Sequence, residues 1–96
     1  MKSIVSVVVF IENVSQRDPE WRDEVILDVL DRTTFVIYEF GVALPGPPRF
    51  DVEADKTADT LRVTILQDCK FPPGWTKDDH NDLVTHMSRA RAEAMR

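Results

Sequence analysis

Residues 33–42 read Thr-Thr-Phe-Val-Ile-Tyr-Glu-Phe-Gly-Val, and the conformation of this stretch decides the fold. In an extended chain successive side chains point to opposite sides. Phe35 and Ile37 would then lie on one face, and Val36, Tyr38, Phe40 and Val42 on the other. A run that is apolar on both faces and rich in β-branched and aromatic residues suits an interior strand, paired along each edge and covered on each face. The stretch is therefore expected to be the central strand, with the rest of the chain supplying its neighbours and its cover.

Upstream, Asp18-Pro19-Glu20 is a helix start: an N-cap carboxylate, a proline at the first helical position and an acid in the first turn. At about 100° per residue, Trp21, Val25, Ile26, Val29 and Leu30 share a broad apolar face, which predicts a helix over 19–31. A strand over 24–30 is the competing reading, because Val25-Ile26-Leu27 is a short apolar run. Ser3 to Glu12 sets Ile4, Val8 and Phe10 against Val5, Val7, Val9 and Ile11, a second interior or well-covered strand.

Downstream, three prolines within residues 45–48 stop any sheet and make a rigid loop. Arg49 to Ala54, with Phe50 and Val52 inward, and Thr60 to Gln67, with Leu61, Val63 and Ile65 inward, read as an antiparallel hairpin around a polar turn at 55–59. Arg62 and Thr64 would then mark an open sheet face. After a second proline-stiffened link at 70–75, Thr76-Lys-Asp-Asp resembles a capping box and opens a helix to about Arg96. The expected fold class is α+β, one small domain over residues 1–96 in the order β-α-β-β-β-α, with a mixed or mostly antiparallel sheet and helices on one face.

Composition limits the function. A 96-residue chain is one domain that buries roughly 60–65% of its unfolded surface. With 43% hydrophobic and 30% charged residues it is globular rather than disordered. The net charge of −5, from 17 acidic and 12 basic residues, repels phosphate backbones and anionic membrane surfaces, so neither nucleic acid nor membrane is an expected direct partner. A lone cysteine, Cys69, permits no internal disulfide, and a reducing cytoplasm is the expected setting. Lys2 followed by an apolar run imitates a signal peptide, but the run is short, β-branched and without a small-residue cleavage pattern, which favours a strand.

Candidate chemistry is sparse. Asp79, Asp82 and His86 share a helix face and could contribute metal ligands, yet no second cluster is spaced to complete a shell. His80 falls in the apolar arc and reads as a packed or edge histidine. Cys69 with a histidine and Asp68 or Asp82 could make a nucleophile, base and orienting acid only if folding gathered them, and a lone Cys at a strand end is ordinarily a small hydrophobe. The glycines at 41, 46 and 74 form no phosphate-binding loop. No cofactor, metal or catalytic residue is expected.

The feature left over is the acidic flank of the first helix, where Glu20, Asp23, Glu24, Asp28 and Asp31 surround Leu27. An apolar anchor ringed by like charge fits docking to a basic partner. The expected function is a small acidic protein-binding module, an inhibitor or adaptor facing a basic site on a larger protein, with nucleic-acid mimicry a special case. The alternatives are a small enzyme or ligand-binding domain, dimeric or not, with a pocket lined by Trp21, Tyr38 or Trp75, and a structural subunit pairing through exposed sheet edges.

Overall fold

The computed structural model describes residues 2–96. Its elements are strand β1 (Lys2–Glu12), helix α1 (Pro19–Glu39), strands β2 (Arg49–Asp55) and β3 (Thr60–Lys70), and helix α2 (Lys77–Ala94). The three strands form one antiparallel sheet in the order β1-β3-β2, so this is an α+β domain. The order is β-α-β-β-α, one strand fewer than expected.

The missing strand is residues 33–42. Thr33–Glu39 continues α1 for two more turns, and no break separates the expected helix from the expected strand. The reason lies in a four-residue spacing: Val25, Val29, Thr33 and Ile37 are the buried positions of α1 and make one stripe along it. Thr33 is tolerated inside the helix because its hydroxyl donates to the Val29 carbonyl at 2.7 Å. Arg32 adds an i,i+4 pair with Asp28 at 3.1 Å and reaches Glu93 of α2 at 3.3 Å. β-Propensity reports how well a side chain fits a half-buried surface, and a helix with tertiary cover outbids it. The helix ends at Gly41, whose φ of +76° is open to glycine without strain. There the Gly41 N–H donates to the Tyr38 carbonyl at 3.0 Å and the Val42 N–H to the Ile37 carbonyl at 3.4 Å, the two bonds of a Schellman cap.

The other helix boundaries follow their local signals. The Asp18 carboxylate accepts from the Glu20 N–H at 3.0 Å. At α2, Asp79 N–H donates to the Thr76 hydroxyl at 3.1 Å while the Asp79 carboxylate accepts from Thr76 N–H at 2.9 Å, a complete capping box.

Sheet register separates the two faces. β1 pairs with β3 so that Val5, Val7, Val9 and Ile11 lie opposite Gln67, Ile65, Val63 and Leu61. These odd-numbered positions are the buried face, apart from the half-buried Val7. Val9, Ile11, Leu61, Val63 and Ile65 meet Val25 and Val29 of α1 and Ala94 of α2 in one core cluster. A second cluster joins Val5, Cys69 and Phe71 to Ile37, Leu83 and Met87.

Two expectations about the strands are corrected. β1 is an edge strand rather than an interior one, and its even-numbered face is open, with Ile4 56% and Phe10 44% exposed. Phe50 and Val52 do share a face with the buried Ile65 and Val63, but they are exposed, as is every residue of β2. β2 is the other edge, and the core clusters gather helix residues around β1 and β3 without any β2 residue, so alternation gives Phe50 and Val52 a direction but no cover.

Candidate functional site

A long α1 changes what its outer side contains. Positions that recur at alternating four- and three-residue steps lie along one helix face. Glu20, Glu24, Leu27 and Asp31 follow that progression, and Thr34 with Phe35 and then Tyr38 continue it. All are exposed except the half-buried Thr34. This outward seam spans 19 residues, about 27 Å at the helical rise. Its N-terminal part carries carboxylates around Leu27, and its C-terminal part carries two aromatic rings.

Of the sequence-predicted flank, Glu20, Glu24, Leu27 and Asp31 thus fall on the seam. Asp23 is exposed to one side of it, with its carboxylate 3.6 Å from Arg22. Asp28 turns the other way, toward α2, half-buried and accepting two hydrogen bonds from Arg32 at 3.1 and 3.2 Å. Phe35 and Tyr38 were placed in the core by the strand reading and belong instead on the surface. The four-residue spacing of Val25, Val29, Thr33 and Ile37, together with Gly41 as a helix stop, was the sequence signal that could have found them.

The remaining candidates are occupied elsewhere. Asp79 serves the α2 cap, and the His86 Nδ1 lies 2.8 Å from the Asp82 carbonyl. Among the described residues no three His, Cys, Asp or Glu side chains converge to hold a metal ion. His80 is half-buried with its ring edge against Phe71 at 5.7 Å. Cys69 is fully buried and its thiol donates to the Gln67 carbonyl at 3.6 Å. Burial pushes the Cys69 thiol above its ordinary range; a backbone bond from Val5 pulls it partly back, and the Asp68 charge adds to the rise. Cys69 packs in the second core cluster as a small hydrophobe.

Trp21 and Trp75 line separate open clefts, Trp21 with Ile11, Arg17 and Met95 and Trp75 with Phe71 and the 72–74 loop. Trp21 packs at the first core cluster under the Arg17 guanidinium, 4.7 Å from the ring centre. Trp75 stacks on Phe71 at 5.0 Å in the second cluster and meets Phe40 edge-on at 6.4 Å. Its indole N–H is buried without an acceptor among the described residues, a cost of about 1–3 kcal/mol. Tyr38 stands apart on the seam.

No protein-family model, no curated protein and no solved structure matches the chain. Among the described residues no helix is long and apolar enough to cross a membrane.

Proposed function

We propose that this chain is a small acidic protein-binding module, an inhibitor or adaptor in kind, that docks through α1 onto a basic surface of a larger protein. One observation carries the reading: Leu27, Phe35 and Tyr38 are 55%, 62% and 74% exposed along the same seam as Glu20, Glu24 and Asp31. Single exposed apolar side chains are ordinary, but several large ones on one helix face form the kind of patch that marks an interaction site. An apolar helix stripe laid into a partner's groove is a recurring docking mode. Rings at the centre of such a contact carry most of its energy, while rim carboxylates steer the encounter and select a basic partner. In this reading both helices lie over the odd-numbered face of the sheet, which leaves the seam to solvent. The chain acts without catalysis or cofactor, in the cytoplasm, where a buried free thiol persists.

The test starts from a partner captured by affinity pull-down and then purified. Reversing Glu20, Glu24 and Asp31 to Lys is expected to slow association and weaken binding, and wild-type affinity is expected to fall as salt rises. Tyr38→Ala is expected to cost about 2 kcal/mol or more, mainly through faster dissociation. Circular dichroism must show each variant folded. A folded triple variant with wild-type affinity at low salt would refute the reading.

A further inference from the structure

The sheet has two free edges, and their sequences differ in kind. β2 carries Arg49, Asp51, Glu53 and Asp55 along one face, and charged residues of this sort are how natural edge strands avoid pairing with copies of themselves. β1 has no such guard: from Ser3 to Ile11 it contains no charged residue. A long, uncharged edge strand with exposed apolar side chains is a template for another strand.

Backbone direction fixes which residues of β1 are available. The Arg91 guanidinium of α2 donates to the Val8 carbonyl at 3.4 Å, so that carbonyl is turned away from β3. In an antiparallel ladder the N–H and C=O of one residue point the same way and alternate residues repeat the direction. The backbone groups of Ile4, Ser6, Val8 and Phe10 therefore face outward, and those of the odd-numbered residues serve β3. The same two-residue repeat, carried across β3, leaves Phe50, Val52 and Ala54 as the outward residues of β2.

We propose that β1 is the interface between two copies of this chain, joined antiparallel about a two-fold axis at Val7 into a continuous six-stranded sheet. That register pairs Ser6 with Val8 and Ile4 with Phe10 of the second copy, so outward residues meet outward residues, as the ladder requires; the Val8 carbonyl, which has two acceptor lone pairs, then takes the second copy's Ser6 N–H beside the Arg91 guanidinium. It uses the whole uncharged run from Ser3 to Ile11, with Ser3 opposite Ile11 and Val5 opposite Val9 of the second copy. It also sets the exposed Ile4 beside the exposed Phe10 as a cross-strand apolar pair. The corresponding full-length pairing of β2 about Val52 places Asp51 against Glu53 twice beside the axis, a like-charge contact that opposes it, although Arg49 meets Asp55 at each end. Beside β1 runs a groove of about 160 Å³ between Ser6, Val7 and Val8 on one side and Val84, Ser88 and Arg91 on the other. The two-fold brings two such grooves together, with Val84, 45% exposed, turned toward the second copy. The contact is isologous and closes on itself, so it stops at a dimer. It leaves the α1 seam free and does not depend on the function proposed for it.

Sedimentation equilibrium over a range of concentrations tests this. The wild-type chain of 11.0 kDa is expected to give twice that mass, returning toward 11.0 kDa on dilution. Ser6→Pro removes an outward N–H while sparing the bonds to β3, a position where an edge strand tolerates proline, and is expected to be monomeric and folded. Val52→Pro does the same to β2 and is expected to remain dimeric. If circular dichroism shows Ser6→Pro unfolded, Ser6→Lys, which charges the exposed centre of the edge, replaces it with the same expectation. A wild-type monomer at the highest soluble concentration overturns the proposal, as does a dimer that survives the folded Ser6 variant or is lost in the folded Val52 variant.

Discussion

Ile37→Ala is expected to lower the free energy of unfolding by about 2–5 kcal/mol, whereas Phe35→Ala, two residues away, stays within about 0.5 kcal/mol of wild type. Ile37 is 2% exposed in the second core cluster, and alanine there leaves a cavity that the packed neighbours fill only in part. Phe35 is 62% exposed, so its truncation removes little buried contact. The pair discriminates because residues two apart share a face in a strand but lie about 200° apart on a helix. Urea unfolding of the two variants reads the difference. Comparable large losses at both positions would return residues 33–42 to a strand.

Leu83→Ala is expected to cost a similar 2–5 kcal/mol, with Val84→Ala near neutral. Leu83 is fully buried against the cluster that contains Val5, Cys69 and Ile37, while its neighbour Val84 is 45% exposed. α2 has few other apolar anchors: only Met87 and Ala94 are also buried. Loss of Leu83 therefore loosens the whole helix. A cost below about 1 kcal/mol in urea unfolding would mean that α2 is not held by this residue.

What was legible in the sequence was local. The Asp18-Pro19 start, the Thr76–Asp79 capping box and the hairpin read over 49–67 each rest on residues within a few positions of one another, and all three form, the hairpin with its second strand running on to Lys70. The conformation of 33–42 was not local. Its β-branched and aromatic residues fit a strand or a covered helix equally, and the decision came from Val25 and Val29, eight or more residues upstream of Ile37, and from cover by the sheet. β1 and β2 failed in a related way. Alternation assigns Val5, Val9, Phe50 and Val52 to a side, but lateral order in the sheet decides which sides are covered, and order is a property of the whole chain. The candidate site divided along the same line. Its carboxylates and Leu27 were visible because they lie on the well-signalled first turns of α1, while Phe35 and Tyr38 were hidden by being read as core.

Phe35 and Tyr38 join Leu27 on one seam only if Thr33–Glu39 is helical in solution, and backbone ¹³Cα chemical shifts measure that residue by residue. The expected result is an unbroken run of helical, downfield shifts from Pro19 through Glu39, ending at Gly41. Upfield, extended-chain shifts over Thr33–Glu39 would contradict it, since the rings would then alternate across a strand and the seam would end at Asp31.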